Sequence, residues 1–155
     1  MIIIGYQGIG KSTLAGNDNC IDLESGNFWF YDKETKQKCR HSNWYIPYCQ
    51  IANHLSEQGF TVFVSSHEVV RRELEKSKER VVAVVPAVEL RDVWLKKLED
   101  RYSSTKLEKD YKALMNAVYR YEDNIYEIMD SVGEVYYIRS MDYCLKDIVK
   151  HLRGE

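Results

Sequence analysis

At 155 residues, with 45% hydrophobic and 30% charged side chains, the chain is expected to fold as one domain around a single core. A formal net charge of −2, with no block of like charge, gives no support to nucleic acid or an anionic membrane as the main partner. The opening apolar run is too short for a secretory leader, and no segment approaches the ~20 apolar residues of a membrane span, so a soluble, cytoplasmic protein is expected.

Met1 to Ile4 is continuously apolar, as in a strand buried on both faces. A helix should open near Lys11 and be stopped early by Gly16-Asn17. "CIDLE" (20–24) reads as a second strand. Residues 25–43 read as irregular, aromatic from Phe28 to Tyr31 and polar from Asp32 to Arg40. A helix follows with Tyr48, Ile51, Ala52 and Leu55 on one face, ended by Gly59.

"TVFVSS" (61–66) predicts a third strand, running into a capping box of Ser65 and Glu68 that opens a helix bearing Val69, Val70 and Leu74. "VVAVVPA" (81–87) predicts a fourth. The next helix presents Leu90, Val93, Trp94 and Leu98 and should end near Arg101. "YSSTK" then separates it from a long helix opened by Thr105 and Glu108, with a stripe of Tyr111, Leu114, Val118, Tyr121, Ile125, Ile128 and Val132. "EVYYI" (134–138) predicts the fifth strand, and Ser140 a cap for a last helix carrying Leu145, Ile148, Val149 and Leu152. Five strands alternating with helices predict an α/β fold with a mostly parallel sheet.

Four cysteines are present (Cys20, Cys39, Cys49, Cys144), with no CxxC pair. Cys39, His41, Cys49 and His54 match no standard zinc spacing, so free thiols in a reducing compartment are expected.

Gly5-Tyr6-Gln7-Gly8-Ile9-Gly10-Lys11-Ser12 fills every fixed position of G-x-x-x-x-G-K-[ST]. Glycines let the backbone curl so that successive amides converge on phosphate oxygens, and the helix start adds partial positive charge. Gly5, Gln7, Gly8, Ile9, Gly10, Lys11, Ser12 and Thr13 are therefore expected to bind a nucleoside triphosphate. Lys11 would reach the β- and γ-phosphates, and the Ser12 hydroxyl would ligate Mg²⁺. No Asn-Lys-x-Asp reads guanine, and neither of the middle strands carries the acid of a motor ATPase.

With this loop, the chain resembles the small P-loop kinases: nucleoside monophosphate kinases of the adenylate kinase type, and shikimate or gluconate kinases. The resemblance implies a three-layer α/β/α P-loop NTPase fold over residues 1–155, with an acceptor-binding insert at 28–45 and a short lid at 101–106. It implies ATP- and Mg²⁺-dependent transfer to a small acceptor. Asp22 and Glu24 look like the paired acids that follow the second strand, the first supporting Mg²⁺ with Ser12, the second engaging the acceptor hydroxyl. Lys97 and Arg101 resemble the basic pair at the lid, Lys97 at the base and Arg101 on the transferring phosphoryl group. Arg40, His67 and Arg71 fall where these enzymes bind the acceptor, and His67 should stay neutral. Lys11, Glu24 and Arg101 would then be catalytic. The acceptor is expected to be a nucleotide or nucleoside, with a hydroxylated metabolite such as a sugar acid as the alternative. A regulatory module that binds ATP without transferring it is the competing reading. A monomer or homodimer fits either.

Overall fold

A computed structural model describes residues 1–155. In chain order the elements are β1 (Ile2–Gly5), α1 (Lys11–Leu14), β2 (Cys20–Asp22), β3 (Trp29–Asp32), β4 (Gln37–Arg40), α2 (Tyr45–Glu57), β5 (Thr61–Val64), α3 (Glu68–Leu74), β6 (Val81–Pro86), α4 (Arg91–Thr105), α5 (Glu108–Asp130), β7 (Val135–Ile138) and α6 (Leu145–Arg153). Five strands form one sheet in the order β2-β5-β1-β6-β7. Every pairing in it is parallel. The sheet is thus wholly parallel, as continuously apolar β1, β5 and β6 require: strands without a polar face need cover on both sides. The layering is compatible with α/β/α. No helix is long and apolar enough to cross a membrane.

Chain order places β1 in the middle, with β5 on one side and β6 on the other. The crossover after β1 passes β5 to reach β2, whereas the crossover after β5 passes β1 to reach β6, so the chain leaves these two neighbouring strands in opposite directions. That opens a crevice beyond their carboxyl ends, where open α/β sheets bind ligands. The register puts Ile4 beside Val64 and Asp22 beside Phe63, so the segments after β1, β2 and β5 emerge at that one edge. Tyr48 on α2 pins two of them: its hydroxyl donates to Leu23 O at 2.5 Å and accepts from Ser65 N at 2.8 Å.

Several expected local features are replaced by others. The 25–43 segment is not irregular: a 3₁₀ turn (Ser25–Phe28) leads into an antiparallel hairpin, β3 pairing with β4. Its turn is built by Asp32, whose carboxylate accepts the Glu34 and Thr35 amides, and by Lys36 at φ 56°. The short lid expected at 101–106 is mostly helix. α4 runs through "YSST" and stops at Lys106, whose left-handed φ of 54° ends it, so α4 and α5 form a helical hairpin in place of a lid loop.

Neither capping box forms. The Ser65 hydroxyl bonds the His67 ring, leaving His67 as the N-cap of α3, and Thr105 bonds Asp110 while Leu107 precedes α5. Ser140 caps a turn through the Asp142 amide, and α6 begins later, after Cys144. The buried faces shift by a residue in places. Ile51, Val69, Val93, Tyr111 and Val118 are exposed, whereas Cys49, Arg71, Asp110 and Ala117 are buried. In α5 the backbone leaves helical geometry at Arg120 (φ −138°), which changes the phase of the stripe midway.

Arg71, expected at the acceptor, is instead a structural strap. Its Nε donates to Ser66 O at 3.0 Å and its Nη1 to Glu127 O at 2.9 Å, fastening the end of β5 to α5. The residue is 8% exposed. Arg71→Met keeps the stem but orphans both carbonyls. We expect it to lower stability by about 2 kcal/mol, or about 5 °C in Tm, measured by thermal unfolding of the free chain.

Candidate functional site

The loop from Tyr6 to Gly10 lies at the carboxyl end of β1, with Gly8 and Ile9 buried and Gln7 and Gly10 half-buried. Gly8 and Gly10 have φ of 86° and 100°, the left-handed region that glycine enters without strain. A Cβ on Gly8 would sit 2.9 Å from Leu98 Cδ2, so α4 packs directly beneath the turn. At Gly10 a Cβ would meet nothing within 4 Å, so that side of the loop is open. Gly8→Ala would combine backbone strain with that clash and is expected to destabilise the chain by about 1–3 kcal/mol, read from chemical unfolding.

Tyr6 N still bonds Val84 O, and Thr13 N bonds Gly10 O. Between them, Gln7–Gly8 form a turn, but no amide from Gln7 to Ser12 makes a well-formed hydrogen bond to a backbone carbonyl. Buried amides are normally paired, so a curled run of unpaired donors is a preformed cradle for an anion with several oxygens. The loop's carbonyls, by contrast, are held from behind: Trp94 Nε1 donates to Gln7 O at 2.9 Å, and the Tyr143 hydroxyl lies 3.1 Å from Ile9 O and 3.4 Å from Gly8 O. Gln7 ties the loop to α5 through Ala113 O at 3.0 Å. α1 is a single turn, stopped by Ala15 and Gly16. Positive potential here therefore comes from the loop amides and Lys11 more than from a helix dipole.

No protein-family model matches the chain, and no curated protein matches it.

Charged groups gather around the crevice. Burial holds the Lys11 ammonium below the ordinary lysine range, against the pull of Asp22 and Glu24. Asp22, half-buried at the end of β2, is raised by desolvation; Glu24 adds to this, and Lys11 opposes it. Glu24 stands exposed just beyond. Ser12 and Thr13 are exposed at the start of α1. A hydroxyl and a carboxylate beside unpaired amides fit a hard, water-rich cation such as Mg²⁺.

Arg101 and Lys109 both act electrostatically on Lys11 and Asp22, which places the α4–α5 hairpin beside the loop. Arg101 is aimed by Asp110: Nε to Oδ1 is 2.9 Å, and the Asp110 side chain is 3% exposed and also bonded to Thr105. That buried carboxylate fixes one side of the Arg101 guanidinium while the side chain stays 40% exposed. Lys109 was not legible as a site residue, since a lysine in the first turn of a helix looks like any surface charge.

On the other side, the Arg40 guanidinium is sandwiched between the indoles of Trp29 (4.4 Å) and Trp44 (4.1 Å). Its Nη1 is buried without a partner, and burial lowers its pKa. His67 meets Trp44 edge-on, with its Nδ1 2.7 Å from Ser65 Oγ. Desolvation, then the charges of Arg40 and Lys11, hold its pKa below the usual imidazole value, so the ring is neutral at pH 7. Arg40 and His67 thus border the crevice, while Arg71 does not.

Lys97 does not reach toward the crevice as a free cation. Its Nζ bonds the Tyr143 hydroxyl at 2.7 Å and lies over the rings of Trp94 and Tyr143. Nothing in the sequence pattern marked Trp94 or Tyr143 as more than core and loop residues. The four cysteines are all unpaired. His41 stacks on Phe30 across the hairpin, and Cys49 is buried in α2, which separates two members of the cysteine–histidine group by their packing.

Proposed function

We propose that this chain is a small P-loop phosphotransferase with a three-layer α/β/α fold, moving the γ-phosphoryl group of ATP to a small acceptor. One observation carries the reading: no amide from Gln7 to Ser12 makes a well-formed hydrogen bond to a backbone carbonyl, in a loop that is largely buried and runs onto a desolvated lysine. Such donors are costly to bury unless an anion of several oxygens occupies the curl.

In this reading the amides of Gly8 to Ser12 and Lys11 hold the β- and γ-phosphates. Ser12 and Asp22 would hold Mg²⁺, which would supply charge neutralisation on the phosphates. Glu24 orients the acceptor hydroxyl and takes its proton as the acceptor oxygen bonds to the γ-phosphorus. The bond from that phosphorus to the β–γ bridging oxygen breaks, and ADP leaves. Arg101, aimed by Asp110, and Lys109 balance the negative charge spread over the transferring group. Arg40 and His67 bind the acceptor, with the β3–β4 hairpin in the place of the insert. A nucleotide or nucleoside is the first acceptor class, and a hydroxylated metabolite such as a sugar acid the second. Free thiols suit work in a reducing cytoplasm.

An ADP-release assay across nucleoside monophosphates, nucleosides and sugar acids, with Mg·ATP in excess, tests this. Acceptor-dependent release is the expected result. Calorimetric binding of Mg·ATP with no acceptor-dependent release would leave a nucleotide-binding regulatory module. No binding at all would remove the phosphate reading.

A further inference from the structure

We infer that Trp94, Tyr143 and Lys97 are positioning residues that aim the loop's amides by gripping the opposite ends of the same peptide groups. The inference rests on the phosphate reading above, and it assigns residues that the motif does not contain.

A trans peptide is planar, and its C=O and N–H point in opposite directions. All peptide bonds in the chain are trans. Fixing a carbonyl therefore fixes the amide of the following residue. Trp94 Nε1 on Gln7 O sets the Gly8 amide. The Tyr143 hydroxyl, between Gly8 O and Ile9 O, sets the amides of Ile9 and Gly10. These are the carbonyls of the stretch whose amides make no well-formed hydrogen bond to a backbone carbonyl. Held from outside, the N–H groups are turned inward together before any ligand arrives. Two left-handed glycines in this stretch would otherwise leave the peptide planes free to flip.

Lys97 completes the arrangement. A phenol hydroxyl has one proton and can act as donor or acceptor. The Lys97 ammonium can only donate, so its 2.7 Å bond to the Tyr143 oxygen commits the phenolic proton to the loop carbonyls. Donation from a cation also polarises that O–H and strengthens its own donation. Trp94 and Tyr143 are stacked at 6.0 Å and 18°, with Lys97 over both rings, so the three side chains form one unit. It joins α4 to the loop between β7 and α6, and neither of these contributes to the motif. A lysine expected at the base is thereby used behind the phosphate cradle.

Tyr143→Phe retains the stacked ring and removes only the hydroxyl. Amide hydrogen exchange in the nucleotide-free chain should then speed up several-fold at Ile9 and Gly10 but not at Gly8, whose peptide Trp94 holds, with little change in Tm. Affinity for Mg·ATP and for Mg·tripolyphosphate should fall equally, by about five- to tenfold. Equal loss matters because tripolyphosphate has no base: a residue supporting only the fold or a base pocket would not produce it. Lys97→Met should shift exchange and both affinities in the same direction by a smaller factor, and it serves as the reading if Tyr143→Phe proves unstable. Unchanged exchange and unchanged affinity in a folded variant overturn the brace and leave the phosphate reading intact. A loss confined to ATP also overturns it. If the unaltered chain binds neither probe, the phosphate reading fails and the brace's role in it falls as well, whatever the exchange data show.

Discussion

Lys11→Ala is expected to abolish acceptor-dependent ADP release and to weaken Mg·ATP binding by about a hundredfold. A charge-assisted hydrogen bond is worth about 1.5–3 kcal/mol, more where water is excluded, and every ~1.4 kcal/mol is a factor of ten in affinity. Removing the cation that the proposed mechanism sets against the transferring group should cost a further factor of about 10²–10³ in turnover. The measurement is calorimetric affinity beside steady-state ADP release, together with the thermal shift produced by saturating Mg·ATP, which should vanish.

Collapse of the fold would imitate such a result, and the charge state of Lys11 separates the two. Burial depresses its pKa, so the unfolded chain holds that proton more tightly than the folded one. Where the two states differ in proton count, stability rises with pH on the approach to the ordinary lysine value of 10.5. Lys11→Ala removes this contribution. Its nucleotide-free Tm should be no lower than the parent's at neutral pH and should rise less steeply on the alkaline side. A variant that fails to bind yet shows this flatter profile has lost a ligand contact rather than its structure.

The large elements were legible because their signals are local. Ile2–Ile4, Val62–Val64 and Val82–Val85 are apolar without interruption, and only a doubly covered parallel strand uses such a run. The β3–β4 hairpin was hidden because Trp29, Phe30 and Tyr31 are all exposed, so no alternation of buried and solvated residues marks it. α4 extends past Arg101 because Ser103 and Ser104 weaken a helix without ending it, whereas a left-handed Lys106 does end it. Both capping boxes failed through competition, His67 claiming Ser65 and Asp110 claiming Thr105. The site divides in the same way. The glycines, Lys11 and Ser12 are contiguous, and their geometry follows from their own backbone. Lys109 and Tyr143 matter through residues roughly a hundred or more positions away, and Asp110 acts at the loop only through the Arg101 guanidinium that it aims. A spacing pattern carries no trace of that.

Asp22→Asn should separate binding from transfer. In the proposed phosphotransferase the triphosphate is gripped mainly by amides and Lys11, so affinity for the nucleotide should change by less than about threefold, while turnover should fall by about a hundredfold or more as the proposed Mg²⁺ partner loses its charge. The parent's rate should decline on the acid side above the ordinary carboxylate value of 3.8, because desolvation raises the pKa of Asp22 and its protonated form cannot serve the cation. That limb should be missing from the residual activity of the variant. Stability should move the opposite way to turnover. A carboxyl whose folded pKa is raised favours folding when protonated, and the benefit is lost as pH rises through that raised value. At neutral pH the ionised group therefore burdens the free chain, even after Lys11's attraction is counted, because the net shift is upward. Asn keeps the shape without the charge, so the metal-free Tm should rise. A carboxylate that weakens its own fold has to be repaid at the moment of use, and normal turnover in Asp22→Asn would mean that the cation is held elsewhere.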